Sequence, residues 1–438
     1  MPAETHPTRA AIEARQLEQL RSLVAELFPG NQFYSRKLSA AGITFDIESL
    51  EDFSARFPFT TKSELAKDQR AAPPFGTNLT YPLERYVRCH QTSGTSHVPL
   101  RWLDTPESWE WMLESWTEIL RVAGVQPADR LYFAFSFGPF IGFWIAFEAA
   151  ARLGCLCVPG GGLSSAARVR AIQNLGITVI CCTPTYALRL AEVAAEEGVD
   201  LGKLSVRTLI IAGEPGGSIP AVRAKLAQLW RGARVFDHHG MTEVGPVSYE
   251  CPARPGVLHV IETSYLAEIV EPATGKPLVR GPDTSNAGSP PATGELVLTT
   301  LGRMGSPLLR YRTGDLVRPS FKVCSCGRAE LALEGGILGR SDDMVVVRGV
   351  NVYPSAIEDI VRACPGVAEY QVEISSRQTL AEMSLQIETS PDCKDRESLI
   401  HRLQRSFETA LSLRVPIKLV APGSLPRFEM KGRRWIKV

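Results

Sequence analysis

The sequence predicts an α/β protein: a large N-terminal domain with a parallel βαβ-type sheet and an additional β-rich part, followed by a small α+β C-terminal domain. Three observations predict this class. Short apolar segments alternate with helical segments between Leu131 and Trp230, many short strands follow Val235, and a last segment of about a hundred residues begins near Gly339. We therefore expect one domain over residues 1–338 and another over residues 339–438.

The first hundred residues are predicted to be mainly helical. Apolar positions recur near helical spacing between Ile12 and Phe28, and prolines interrupt the pattern at Pro58 and at Pro73-Pro74. This part of the chain carries little readable chemistry.

The central segment predicts βαβ units. Four apolar, β-rich runs are each followed by a helical segment, and these runs are LYFAFSF, CLCVPGGG, ITVICCTP and VRTLIIAGEPGG. This alternation places parallel strands in one sheet whose two faces are covered by helices. The C-terminal segment has the pattern strand, helix, strand, strand, helix, strand, which suits a separate small domain.

The composition excludes several classes of protein. Lys and Arg number 48 and Asp and Glu 47, so no net charge attracts a nucleic acid or an anionic bilayer. No apolar run reaches the roughly 18–20 residues that span a membrane, and the polar N-terminus lacks a signal-peptide core. We expect a cytoplasmic protein with no nucleic-acid or membrane partner, whose ten cysteines are reduced thiols or metal ligands.

A loop rich in Ser, Thr and Gly, residues 92–95, combines hydroxyl groups with backbone N–H groups that can surround a polyphosphate. Such loops are usually only turns, and this one is not a Walker motif because no Gly-Lys-Ser/Thr follows. Five further segments follow it in a fixed order. They are AGEPGG (Ala212 to Gly217), DHHGMTE (Asp237 to Glu243), YRTGDL (Tyr311 to Leu316), GRSDDMVVVRGVNVYPSAIE (Gly339 to Glu358) and the terminal PRFEMKGRR with Lys431.

Together the six segments resemble the adenylate-forming superfamily and, within it, the phenylacetate-CoA ligase branch, from about Tyr34 to the C-terminus. The resemblance implies that a carboxylic acid reacts with ATP to give an acyl adenylate, which then passes to a thiol. It assigns catalysis to Lys431, which brings a charge to the carboxylate and α-phosphate, to Glu243, which holds Mg²⁺, and to Thr242, whose hydroxyl lies by the α-phosphate. Cationic groups at such a centre offset the repulsion between two anions.

The resemblance also implies where the nucleotide binds. Asp315 would accept both ribose hydroxyls, Arg340 would approach the ribose or the phosphates, and His239 would stack on an adenine lined by residues 213–215. The full predicted set for the nucleotide and CoA is Thr92, Ser93, Gly94, Thr95, Ala212, Gly213, Glu214, Pro215, Asp237, His238, His239, Gly240, Met241, Asp315, Arg340, Asp342 and Gly349.

Relatives turn the small domain between the two half-reactions, so the resemblance implies a mobile C-terminal domain. Asp342 matches the hinge position, and Gly349 matches the glycine that lets the pantetheine of CoA pass close to the backbone. A simple hairpin glycine is the alternative for Gly349.

Two positions depart from the family pattern. The loop continues Thr95-Ser96-His97-Val98-Pro99 where the family has Thr-Gly-Lys-Pro, so a lysine contact to the β- and γ-phosphates is missing. His239 stands where the family more often has Tyr, which reduces the stacking area.

The wall of an acyl pocket is predicted from Phe135, Phe137, Phe140 and Trp144. Aromatic side chains at a βα junction are buried in any case, so core packing is the alternative. If these residues line a pocket, a flat aryl or arylacetic acid fits better than a long acyl chain. No cation in this stretch marks a second acidic group on the substrate.

A zinc site is predicted from three cysteines and one histidine. Cys324 and Cys326 form a tight knuckle, and Cys251 and His259 lie in the segment ECPARPGVLHV, at points where some phenylacetate-CoA ligase relatives also carry Cys and His. The four satisfy tetrahedral Zn²⁺ by type and number, and a closed set of protein ligands is structural rather than catalytic. The alternative is that the cysteines are buried as small apolar side chains.

The predicted function is an AMP-forming ligase that joins an aromatic carboxylic acid to CoA, with ATP, Mg²⁺ and a structural Zn²⁺, and a homodimer is the assembly considered. One alternative is an adenylating enzyme that passes the acyl group to an amine, a hydroxyl or a carrier-protein thiol. Another is a nucleotide-binding module without turnover, which the missing loop lysine suggests and which Glu243, Asp315 and Lys431 argue against.

Overall fold

The computed structural model describes residues 6–28, 30–43, 46–92, 99–278, 292–348, 350–377, 380–429 and 431–437. These residues form a parallel sheet, antiparallel sheets and a separate C-terminal sheet, which confirms the predicted α/β class. Among the helices of these ranges, none is both long enough and apolar enough to cross a bilayer. The cytoplasmic location and the homodimer stay predictions.

The N-terminal part is helical, as predicted. Helix α1 begins at the N-cap Thr8, whose side chain accepts a hydrogen bond from the N–H of Ala11. Helix α4 begins with a capping box between Thr61 and Glu64, which fixes Lys62 as its first residue. The helices are α1 (Arg9–Leu27), α2 (Gln32–Ala40), α3 (Leu50–Arg56) and α4 (Lys62–Ala71).

A short hairpin frames the Ser/Thr/Gly loop, because its two strands pair in antiparallel register from Gln91 and Arg101 outward. The helix that follows is amphipathic and buries Trp116 against the core. These elements are β1 (Arg88–Gln91), β2 (Arg101–Asp104) and α5 (Pro106–Val122).

The parallel sheet has the strand order β4-β3-β5-β6-β7, which confirms the predicted βαβ units. Every residue of its two central strands, β5 and β6, is buried, as expected for strands covered by helices on both faces. The elements are β3 (Arg130–Phe133), α6 (Trp144–Arg152), β4 (Leu156–Pro159), α7 (Ser165–Asn174), β5 (Val179–Cys182), α8 (Pro184–Glu196), β6 (Thr208–Ile211), α9 (Pro220–Leu229) and β7 (Arg234–Asp237).

Parallel strands bring their carboxyl ends to one edge of the sheet, where ligands of open α/β folds bind. At this edge β3 leads to Phe135, β5 to Thr183, β6 to Gly213 and β7 to His238. The predicted acyl wall and the predicted nucleotide segments therefore begin at the same edge.

The β-rich part is an antiparallel sheet of order β10-β11-β15-β14-β13-β12, preceded by a two-stranded hairpin. In its register Asp315 on β14 lies opposite Arg340 on β15. The strands are β8 (Gly240–Met241), β9 (Gly245–Pro246), β10 (Ser248–Glu250), β11 (Val257–Val260), β12 (Tyr265–Val270), β13 (Gly294–Thr300), β14 (Tyr311–Ser320) and β15 (Ala332–Arg340).

The small C-terminal domain has its own sheet and its own apolar core, which includes Val352, Ile357, Leu385 and Phe407. Its elements are β16 (Val345–Val347), β17 (Val350–Val352), α10 (Pro354–Ala363), β18 (Val367–Arg377), β19 (Leu380–Thr389), α11 (Arg396–Leu411), β20 (Ile417–Val420) and β21 (Trp435–Lys437). The predicted order has one strand where the structure has the hairpin β16–β17, and it lacks the last strand, because strands of three residues are too short to show a period of two.

Candidate active site

The segment after β7 carries the first group of predicted residues. Asp237 ends the strand and is buried, and its Oδ2 accepts a hydrogen bond from Ser218 Oγ at 2.6 Å. The AGEPGG segment packs directly on this carboxyl group, since a Cβ atom on Gly217 would lie 2.3 Å from Asp237 Cγ. Burial raises the pKa of Asp237 to about 7.

A second group of predicted residues links strands β14 and β15 to the segment that follows β7. His239 Nε2 lies 2.9 Å from Asp315 Oδ2, and Arg340 Nη1 donates a hydrogen bond to Asp315 Oδ1 at 3.1 Å. Arg340 also forms a bidentate pair with Asp342, at 2.8 and 3.0 Å. Although burial opposes it, the Asp342 and Asp315 carboxylates raise the pKa of Arg340. Carboxylate oxygens accept hydrogen bonds, so Asp315, placed between His239 and Arg340, can accept them from a diol.

Thr242 and Glu243 are held through their backbone by a residue that the sequence analysis missed. Arg303 donates to the carbonyl oxygens of Thr242 at 2.9 Å and of Glu243 at 2.8 Å. The same guanidinium pairs with both carboxylate oxygens of Asp104 at 2.7 Å, and both side chains of this pair are fully buried. Arg303 thus fixes the main chain beneath the two predicted catalytic side chains.

Lys62 is a second residue that the sequence analysis missed. Its Nζ lies 3.1 Å from Glu243 Oε1, and Lys62 stands at the first position of α4. This contact brings a cation to the predicted magnesium ligand from a helix about 180 residues earlier in the chain. No local motif around Lys62 could have revealed it, because the two segments meet only in the folded chain.

The C-terminal tail reaches the same edge of the parallel sheet. The N–H of Gly432 donates to Glu214 Oε2 at 2.7 Å, and the N–H of Thr185 donates to Glu214 Oε1 at 2.9 Å. Arg434 Nη1 donates to Thr185 Oγ1 at 3.1 Å. These bonds place Lys431 over Gly213, whose ideal Cβ would lie 3.6 Å from Lys431 Cε.

The charges around Lys431 belong to the other predicted site residues. Loss of hydration lowers the pKa of Lys431, and the carboxylates of Glu214, Glu243 and Asp315 oppose this shift. The structure therefore brings Lys431, Glu243 and Asp315 into one electrostatic environment, although the sequence separates them widely.

The Ser/Thr/Gly loop is described only at its base. The Thr92 N–H donates to the Leu100 carbonyl at 2.9 Å, and the Leu100 N–H donates to Thr92 Oγ1 at 3.0 Å. Ser93, Gly94 and Thr95, together with Gly349, lie outside the described residues. Three other predicted residues are placed by the strands. Ala212 directly follows β6, and Gly240 and Met241 form β8 of the β8–β9 hairpin.

The aromatic residues after β3 form two groups. Phe137 and Trp144 meet edge to face at 4.8 Å, and Trp144 Nε1 donates to the Gly138 carbonyl. Phe135 contacts both Phe140 and Phe143 at ring-centroid distances of 5.2 Å. His238, predicted with the nucleotide residues, instead has its ring beside Phe143 and Trp116, at centroid distances of 6.3 and 4.5 Å.

The four predicted zinc ligands come together. Cys251 Sγ lies 3.6 Å from Cys324 Sγ, Cys326 Sγ lies 3.5 Å from His259 Nε2, and the four ligand atoms all lie within 4.8 Å of one another. Ligands of a tetrahedral Zn²⁺ with Zn–S bonds of about 2.3 Å are separated by roughly 3.8 Å. The donor set and its spacing fit this ion.

The chain is similar to known proteins in both of its parts. Residues 111–304 match the AMP-binding enzyme family, and residues 349–437 match the AMP-binding enzyme C-terminal domain. A phenylacetate-coenzyme A ligase of Thermus thermophilus is 34% identical over 97% of this chain and 96% of that protein.

The arrangement of the two domains can be compared with two solved states of another ligase. A 2-hydroxyisobutyryl-CoA ligase in the postadenylation state superposes with a TM-score of 0.91 at 28% identity, over 100% of this chain and 92% of that chain. The same ligase in the thioesterification state gives 0.69 at 29% identity, over 99% and 91%. The two domains of this chain therefore lie as in the postadenylation state of that ligase.

A parallel sheet whose carboxyl edge is met by the tail of a small C-terminal domain, together with these matches, defines an adenylate-forming enzyme. The chain belongs to the AMP-binding enzymes and, within them, to the family of the phenylacetate-CoA ligases, which are AMP-forming acid–CoA ligases.

Proposed function

We propose that this ligase activates an aryl or arylacetic acid with ATP and transfers the acyl group to CoA. The observation that carries the proposal is the convergence of Lys431, Glu243, Asp315 and Arg340 at one edge of the parallel sheet. An aromatic cluster of Phe135, Phe140 and Phe143 begins at the same edge, and the ring of Phe143 lies 6.3 Å from that of His238. A flat acyl group bound there would lie beside the nucleotide.

In the first half-reaction a carboxylate oxygen of the acid bonds to the α-phosphorus of ATP, and the bond to pyrophosphate breaks. Lys431 offsets the charge that builds on the α-phosphate and carboxylate oxygens, and the Thr242 hydroxyl lies by the α-phosphate. Glu243 is a hard oxygen ligand of the type that Mg²⁺ prefers, and the bound ion would neutralise phosphate charge. Lys62, beside Glu243, supplies a cation near the phosphates where the family's loop lysine is missing.

The adenosine part of ATP is proposed to bind at Asp315, His239 and the AGEPGG segment. Asp315 is the proposed acceptor for both ribose hydroxyls, with Arg340 as its partner. His239 is the proposed stacking partner of the adenine, and the AGEPGG segment its wall. Asp237 is buried against that segment and supports it.

In the second half-reaction the thiolate of CoA attacks the acyl carbonyl, and AMP leaves. We propose that the domain 339–438 turns against the domain 1–338 about Asp342 between the two steps and that CoA passes Gly349. The likeness to the postadenylation state supports assigning the described arrangement to the adenylation side of this cycle.

The proposal is tested by product identification. The purified protein is incubated with ATP, Mg²⁺, a panel of aryl acids, and either CoA or amines, and the products are identified by mass. Acyl-CoA and AMP are the expected products. Products with amines and none with CoA would overturn the choice of acceptor.

Exchange of labelled pyrophosphate into ATP tests the activation step separately. We expect exchange that depends on the acid and is nearly lost in Lys431→Ala, with Lys437→Ala on β21 as the matched control. Failure of exchange with every acid would instead favour a nucleotide-binding module without turnover.

We also propose that Cys251, His259, Cys324 and Cys326 hold a structural Zn²⁺. Elemental analysis should find about one Zn per chain, lost together with solubility in Cys324→Ser and retained in Cys89→Ser, whose thiol is exposed. A folded protein free of metal would refute the site.

A further inference from the structure

His238 is a buried imidazole without partners. It is 7% exposed, and neither Nδ1 nor Nε2 has a hydrogen-bond partner of acceptable geometry in the described part of the chain. Native interiors rarely leave polar atoms unpaired, because each unpaired group keeps the full cost of its lost hydration. A molecule bound beside His238 would supply the missing partner.

The ring of His238 lies on the acyl side of the segment. In extended backbone, consecutive side chains point to opposite sides. His239 follows β7 with its ring against Asp315, whereas the ring of His238 meets the edge of Trp116 and lies near Phe143. Phe143 in turn contacts Phe135, so His238 is a polar member of the aromatic cluster proposed to bind the acyl group.

The charge state of His238 restricts what it can bind. Burial, followed by the neighbouring His239, lowers the pKa of His238 to about 3, so the imidazole is neutral at pH 7. A neutral imidazole offers one N–H donor and one acceptor nitrogen. A hydroxyl group both donates and accepts, so it can pair with either nitrogen, whereas a second carboxylate would lack a cation.

We infer that His238 hydrogen-bonds a hydroxyl group on the substrate, so that the substrate class is a hydroxylated aromatic carboxylic acid rather than an unsubstituted one. The inference rests on the proposed function, because it assumes that the cluster binds the acyl group. A site that hydrogen-bonds a substrate hydroxyl rejects the analogue that lacks it, since the buried polar group is then left unpaired.

The test compares matched acids by acid-dependent pyrophosphate exchange. Phenylacetate and benzoate are each compared with their 2-, 3- and 4-hydroxy derivatives in the wild type, in His238→Phe and in His238→Gln. At least one hydroxylated acid should exceed its parent in kcat/KM by about 10-fold or more in the wild type. The ratio should fall to near one in His238→Phe and be partly retained in His238→Gln, which keeps a donor and an acceptor.

His90→Phe is the matched control. His90 is also buried and has an unpartnered Nδ1, but its ring stacks on Trp109 at 5.4 Å, whereas that of His238 lies beside Trp116 and Phe143. The control should leave the ratio unchanged. If His238→Phe does not fold, His238→Leu replaces it.

Parent acids that react as well as every hydroxylated partner, or an unchanged ratio in His238→Phe, would overturn the role of His238. The proposed function would survive that result, because exchange with the parent acids would still be seen. Failure of exchange with all acids would overturn the proposed function itself.

Discussion

The backbone N–H of Gly432 donates a hydrogen bond to Glu214 Oε2, and the other oxygen of the same carboxylate accepts from the Thr185 N–H at the start of α8. One side chain of the AGEPGG segment thereby joins the large domain to the tail that carries Lys431. The sequence predicts Glu214 only as part of a segment that lines the adenine. The structure adds its hydrogen bonds to Thr185 of the large domain and to Gly432 of the C-terminal tail.

Glu214→Gln should slow acyl-adenylate formation by about 10-fold, because an amide oxygen can replace only one of the two acceptors and a hydrogen bond to a charged group contributes about 1.5–3 kcal/mol. Thioester formation from a supplied acyl adenylate should not slow, since the proposed turn of the C-terminal domain separates Gly432 from Glu214 in that step. Pyrophosphate exchange and single-turnover thioester formation measure the two steps. Equal loss in both steps would argue against this role. Glu196→Gln, at the last residue of α8, is the control.

Lys62→Ala should raise the KM for ATP by about 10-fold, because it removes the cation beside Glu243 where the loop lysine of relatives is missing. Lys62→Arg should keep part of the affinity. Lys67→Ala, an exposed lysine on the same helix, should change nothing. The KM for ATP of each variant is measured by pyrophosphate exchange at varied concentrations of ATP and Mg²⁺. An unchanged KM for ATP in Lys62→Ala would exclude a contact between Lys62 and the phosphates.

Arg303→Met should destabilise the protein by about 3–5 kcal/mol, because it leaves the buried Asp104 carboxylate without a partner. The double variant with Asp104→Leu should recover part of the loss, since it removes the unpaired charge. Arg85→Met breaks an ion pair in which both side chains are exposed, and it should cost less than about 1 kcal/mol. Urea unfolding measures all three, and equal effects of Arg303→Met and Arg85→Met would contradict the prediction.

Asp237 should make stability depend on pH. Its pKa is raised from 3.8 to about 7 by burial, so between these values the folded chain binds more protons than the unfolded chain. The free energy of unfolding contributed by this group therefore falls as pH rises through that range. Asp237→Asn should unfold at a higher temperature than the wild type at pH 8 and differ little from it at pH 4. Thermal unfolding from pH 4 to 8 checks the trend, and a difference independent of pH would contradict it.

The sequence predicted those parts of the fold that have a strong local period. The buried strands and amphipathic helices between Leu131 and Trp230 appear where the alternation predicts them. One strand of the β16–β17 hairpin and the strand β21 were missed, because tertiary pairing rather than a repeated pattern defines these three-residue strands.

The candidate site also contains residues that the sequence could show and residues that only the fold reveals. His239 and Asp315 lie in two segments that the sequence shows as motifs, and their side chains meet in the structure. Lys62 and Arg303 reach Glu243 only through the fold, so no spacing in the chain indicates them. His238 was predicted with its neighbours along the chain as a nucleotide residue, and the aromatic surroundings of its ring, Trp116 and Phe143, could not be read from the motif.

Arg303 contacts only carbonyl oxygens of Thr242 and Glu243, and every amino acid at those positions would present the same oxygens. Arg303 therefore holds this part of the main chain through atoms that do not depend on the identity of the two side chains. Exchanging Thr242 or Glu243 should alter the chemistry while the scaffold stays in place, which makes the pair a suitable starting point for redesigning the reaction.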